Sequence, residues 1–244
     1  MKLPKHLPAA TLLLCLAACG GENTSSNVQS PGAQESAKTK TLEAGAALMQ
    51  DKAPVDALNV YLDGFHFYNG NMKGQMEAHH YCAILNEDLI QCVIYDGNAK
   101  AAKLMGVEYV LSARLFATLP ETEKTLWHSH VHEVKSGQLI APGIPDMAEH
   151  ELMEKLVGTY GKTFHTWHTD MQQELPLGIP QVMMGFTADN QTDPAMVMAR
   201  DARFGISSER KRADRADIAT PAILPGADAW QRGTTVQIAD PTAR

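Results

Sequence analysis

Long apolar runs are missing from this 244-residue chain. The longest, Leu7 to Ala18, stops after twelve residues, whereas a helix needs about twenty to cross a bilayer core, so no segment reads as a spanning helix. Positive charge is also scarce. Lys and Arg number 21 against 28 Asp and Glu, a formal net charge of −7, which argues against nucleic acid or any partner held by phosphate neutralisation. There is no CxxC, no glycine-rich phosphate loop, no serine nucleophile elbow and no internal repeat. His150 and Glu151 open the word HELME, which lacks the second histidine of the HExxH zinc proteases and argues against that class. What remains is enough apolar content, 44%, for one sizeable core and hence one domain.

The N-terminus reads as an address. Lys2 and Lys5 precede the apolar run, and Leu16-Ala17-Ala18-Cys19 ends it with small residues before a cysteine. That ending resembles the lipobox of bacterial lipoproteins, which implies cleavage before Cys19 and an acylated Cys19 as first residue. By the same resemblance, Gly20 points to a lipid anchor in the outer membrane of the cell envelope. Losing residues 1–18 takes two positive charges and no acid from −7, leaving −9, so attachment to membrane would rest on acyl chains rather than on attraction to headgroups.

Residues 19–40 are rich in Gly, Ser, Asn and Gln without apolar periodicity, which predicts a flexible linker of roughly 25 Å reach. Thr41 reads as an N-cap, and Val55, Leu58, Leu62 and Phe65 have the spacing of an amphipathic helix. Met76–Leu85 and Leu89–Tyr95 predict a hairpin in which facing positions sum to 174, so Cys82 opposes Cys92. Strands are expected at 106–112, 127–133 and 163–169, helices at 120–126 and 145–157, and a solvated charged helix at 193–215 with a break at Gly205. The expected fold is a single α+β domain with a mainly antiparallel sheet and flanking helices at 41–220, followed by a loosely ordered tail at 221–244.

The chemistry gathers in WHSHVHEVKSG. On a strand, His128, His130 and His132 project to one face, and neighbours on that face lie about 6.6 Å apart, close enough for two to share an ion. Further donors would come from His80, His165 and, if the strand bends before Lys135, Glu133. Two readings stay open: a transition metal, zinc or iron, or imidazoles hydrogen-bonded in core or surface. For Cys82 and Cys92 the alternatives are a disulfide, buried thiols or metal ligation.

The words HHYCAILNEDLIQCVIYD, GVEY, LWHSHVHEVKSG, EKLVGTYGKTFHTWH and LPLGIPQVMM resemble the oil body-associated protein family over roughly residues 55–190. That resemblance implies association with the surface of lipid storage bodies and carries over no catalytic residues and no fold. Two functions follow as expectations. One is a non-catalytic lipoprotein that contacts lipid or an envelope protein partner, with membrane reached through Cys19. The other is a metal-dependent enzyme, hydrolase or oxygenase, built around His128 and His130.

Overall fold

The computed structural model of the chain describes residues 23–238. The expected signal peptide and Cys19 lie outside the described residues. Helices α1 (Ala37–Met49) and α2 (Ala53–Asp56) come first, α1 capped by Ser36 rather than Thr41, with the Ser36 hydroxyl accepting from the Thr39 amide. The helix expected over Val55–Phe65 does not form. Instead Val60–Tyr68 is strand β1, in which every residue from Leu62 to Tyr68 is buried. A strand covered on both faces loses its alternation and can mimic helical spacing, while its β-branched and aromatic residues favour the extended chain.

Strands β2 (Asn71–Asn86), β3 (Leu89–Tyr95) and β4 (Leu104–Ser112) follow as an antiparallel meander. Next come the short helices α3 (Ala113–Ala117) and α4 (Glu121–Lys124), the two-residue strand β5 (His128–Ser129), and helices α5 (Val131–Lys135) and α6 (Asp146–Leu156). Strands β6 (Thr159–His165) and β7 (Gln181–Met184) and helices α7 (Pro194–Phe204) and α8 (Ser208–Asp214) complete the order.

The expected α+β architecture is overturned by how this sheet ends. β7 pairs with β1 and with β6, and β6 pairs with β4 from Gly106↔His165 to Ser112↔Thr159, so six antiparallel strands close into a barrel. The fold is mainly β with short helices, and closure removes the free edges that an open sheet would have to protect. β5 is an addition alongside β6.

Apolar residues fill both ends of the barrel and polar ones its middle. On β1, Leu62 belongs to one apolar cluster and Tyr68 to another; on β2 the same holds for Cys82 against Ala78 and Met76, and on β4 for Val110 against Met105. His66, His80 and Glu108 lie between these ends. Outside the wall, Phe65 and Phe67 pack with Val182, Met184 and Phe186 under Val197 of α7, and Trp230 sits edge-on to Phe67 at 4.9 Å.

Three further expectations change. Within the linker, Thr24 to Val28 is docked: the Thr24 carbonyl accepts from the Asn98 and Ala99 amides, and Asp96 accepts from the Ser26 hydroxyl and the Asn27 amide at 2.8 and 3.0 Å. The described part of the expected tail, residues 221–238, is anchored through Asp228 and Trp230, both packed on the barrel's side. The charged 193–215 stretch does break at Gly205 in the left-handed region, yet it is not solvated throughout, because Arg200 and Arg215 are buried.

Cys82 opposes Cys92 in the β2–β3 register, and the two are joined with Cα atoms 4.0 Å apart. A non-reduced digest should yield both cysteines in one linked peptide, and two separately alkylated peptides would exclude the bridge. Because the link spans ten residues, its removal should lower stability by about 2–3 kcal/mol in the chain-entropy account.

Candidate metal centre

Each of four strands brings one ionisable side chain to the middle of the barrel: His66 from β1, His80 from β2, Glu108 from β4 and His165 from β6. All four are at most 5% exposed. The rest comes from Trp127–Glu133, which is not the single strand expected. Extended backbone stops at Ser129, His130 turns at φ −86° and ψ 0°, and α5 begins at Val131. The turn decides which side chains enter. His128 and His130 stay inside, His132 swings out to within 4.0 Å of Asp189, and Glu133 comes in, its Oε1 3.8 Å from His128 Nε2. Asp228 holds the turn from outside by accepting from the amide and the hydroxyl of Ser129 at 3.0 and 2.7 Å.

Glu108 is the hub. Its Oε2 lies 2.9 Å from His80 Nε2 and 3.7 Å from His66 Nε2, while its Oε1 lies 3.2 Å from His130 Nε2 and 3.6 Å from His128 Nε2. The far sides of several rings are also held. His80 Nδ1 faces the Ala78 carbonyl at 3.1 Å, His130 Nδ1 faces Thr159 Oγ1 at 2.8 Å, and His66 Nδ1 faces His165 Nε2 at 3.3 Å. Three buried atoms aimed at the cluster have no hydrogen-bond partner: His80 Nε2, His128 Nε2 and Glu133 Oε1. Buried polar atoms are rarely left so, and a bound ion or water is a usual reason.

Burial holds the His128 and His165 imidazoles down at about 3 and pushes Glu133 up to about 8. For Glu108 burial works upward, but the hydrogen bond with His130 and the close approach of His80 outweigh it and keep the carboxylate well below its usual range. Burial works against charge on His130 too, but the Glu108 carboxylate beside it outweighs that and shifts this imidazole upward.

Two glycines make the room. A Cβ on Gly161 would lie 2.0 Å from Glu108 Oε1, and one on Gly185 would lie 1.8 Å from Glu133 Oε1. A cavity of about 30 Å³ adjoins the cluster on its apolar side, lined by Leu62, Ile90, Val110, Leu139 and Leu156 among others. It has room for about two water-sized molecules.

The fold thus brings His80, His128, His130, His165 and Glu133 together, with His165 reaching the hub only through His66. It separates others. His79 faces the opposite side, between Asp63 and Glu77; His168 pairs with Tyr68 at 3.1 Å; His150 meets Asp217 near the surface. Glu108 and His66 were missed by the sequence reading. Glu108 shares the face of Gly106 and Val110, with Tyr109 exposed on the other, so strict alternation through GVEYVLS could have found it. His66, inside the fully buried stretch of β1, carried no such signal.

The chain matches the family described as a protein of unknown function (DUF1264) over residues 52–219. It is 41% identical over 218 residues to oil body-associated protein 1B of Arabidopsis thaliana, covering 88% of this chain and 90% of that one. With oil body-associated protein 1A of Zea mays it shares 42% over 214 residues, or 87% and 90% of the two chains, and with protein 2A of Zea mays 41% over 206 residues, or 83% and 82%. No solved structure matches. The expected cell-envelope address with an outer-membrane lipid anchor is corrected by these relatives, which are oil body-associated proteins of plants and not outer-membrane lipoproteins.

Proposed function

The chain belongs to the oil body-associated protein family, and we propose that it is a metalloprotein whose barrel holds a transition ion, zinc or iron, at Glu108 and the surrounding imidazoles. The observation that carries this reading is the set of buried, unpartnered donor atoms on His80, His128 and Glu133 around a hub carboxylate. Imidazole nitrogen and carboxylate oxygen are the donors of catalytic zinc and non-haem iron sites, which keep a position open for water or substrate. An ion there supplies Lewis acidity and lowers the pKa of bound water. The residues do the rest: Ala78 and Thr159 orient the rings, Glu133 presents a carboxyl beside His128, and the cavity of about 30 Å³ lined by Leu62 and Leu139 adjoins the cluster.

Protein prepared untagged and without chelator should carry at least about one equivalent of transition metal, and His130→Ala should carry about one equivalent less. Less than about a tenth of an equivalent would remove the reading.

The names of the relatives favour a second reading, association with a lipid surface. It would be made here through an acylated Cys19, each buried methylene contributing about 0.8 kcal/mol. Cys19→Ser should then move the protein from the detergent phase to the aqueous phase. Unchanged partitioning would rule out this anchor.

A further inference from the structure

The donors around Glu108 do not form one set. They fall into His66/His80/Glu108 and His128/His130/Glu108, within each of which the ligand atoms lie within 4.8 Å of one another, and only Glu108 belongs to both. Nor does Glu108 use one atom for both: Oε2 faces the first pair of rings and Oε1 the second. From this split we propose a dinuclear centre, in which Glu108 bridges two metal ions, one held by His66 and His80 and the other by His128, His130 and the free Oε1 of Glu133.

Ring orientation supports two seats. The Ala78 carbonyl can only accept, so Nδ1 of His80 carries the hydrogen. The Thr159 hydroxyl donates to the Leu156 carbonyl at 2.7 Å, so its oxygen accepts from Nδ1 of His130. With Nδ1 so engaged, each ring turns its Nε2 toward a different oxygen of the same carboxylate, at 2.9 Å for His80 and 3.2 Å for His130. Each nitrogen–oxygen gap takes a positive charge, a proton or a metal ion, and there are two such gaps on separate oxygens. A carboxylate bridge suits ions about 3.5–4 Å apart, the spacing at which two metals clamp one small oxygen ligand between them. The small cavity on the Leu62 and Val110 side is where such a ligand would reach them.

The inference rests on the metalloprotein reading, and one titration separates the two. The full chain, stripped with chelator and dialysed, is titrated with Zn(II) for stoichiometry and with Mn(II) for electron paramagnetic resonance. Two equivalents, with manganese hyperfine lines at half the spacing of an isolated ion, is the expected result. Saturation at one equivalent with an uncoupled spectrum overturns the dinuclear inference and leaves a single-ion centre standing. No uptake, with protons occupying both gaps, overturns both. His66→Ala and His128→Ala, checked for folding by circular dichroism, should each retain one equivalent; a variant that still takes two removes that histidine from the ligand set.

Discussion

Glu108→Gln protein will lose at most about half as much on chelator treatment as the parent, which will lose about 5–10 °C when stripped. The magnitude follows from mass action: an ion present at a hundred times its dissociation constant stabilises the folded chain by about 2.7 kcal/mol, and a chain of this size shifts by about 2–4 °C per kcal/mol. Glutamine preserves the shape of the side chain but not its charge, and it replaces one acceptor oxygen with a donor. The amide then meets either the His80 and His66 nitrogens or those of His130 and His128, so one pair of rings loses its shared ligand in either orientation. Differential scanning calorimetry with and without chelator reads the difference. A chelator-induced shift that persists at full size in Glu108→Gln would show that the stabilising ion sits elsewhere.

The second large effect lies outside the barrel wall. Arg200→Met should cost about 3–5 kcal/mol in urea unfolding, because it strands a buried acid. Arg200 is fully buried on α7. It donates to Asp63 Oδ1 at 2.7 Å, to the Gln138 carbonyl at 2.8 Å and to Ser208 Oγ at 3.0 Å, and its guanidinium lies 4.8 Å from the Phe65 ring centre. Methionine fills the volume and supplies none of these donors. Replacing both partners, Asp63→Leu with Arg200→Met, should recover at least about 1 kcal/mol of the loss, since an absent charge needs no partner. A double variant as unstable as the sum of its parts would mean that Arg200 acts through Gln138 and Ser208 instead.

Local pairing was legible in the residues, and long-range closure was not. The β2–β3 hairpin could be registered by arithmetic on a three-residue turn, which placed Cys82 opposite Cys92. The break at Gly205 could be located because a glycine there is free to take φ 64°. Barrel closure depends on β4 meeting β6 with four helices and a short strand between them, and nothing local in GVEYVLS or GTYGKTF announces that contact. The same limit applied at the site. The convergence of His128 and His130 followed from their spacing, and the entry of Glu133 from a bend before Lys135. The hub was missed because the alternation through GVEYVLS, which sets Glu108 on the face of Gly106 and Val110, was not followed. His66 was lost together with β1, whose two covered faces disguised it as a helix.

The docking of Thr24 to Val28 makes the autonomous folding unit longer than the block of sequence shared across the family, residues 52–219. Trimming to that block would leave Asp96 with the Lys103 amide, at 2.7 Å, as its one remaining donor among those found here, and would unroof the ground under Val28. At the other end it would delete Asp228, the outside brace of the turn that aims His128 and His130 inward. Fragments cut at those bounds would therefore lose the aim of His128 and His130 together with the apolar packing of Val28, Ala227 and Trp230.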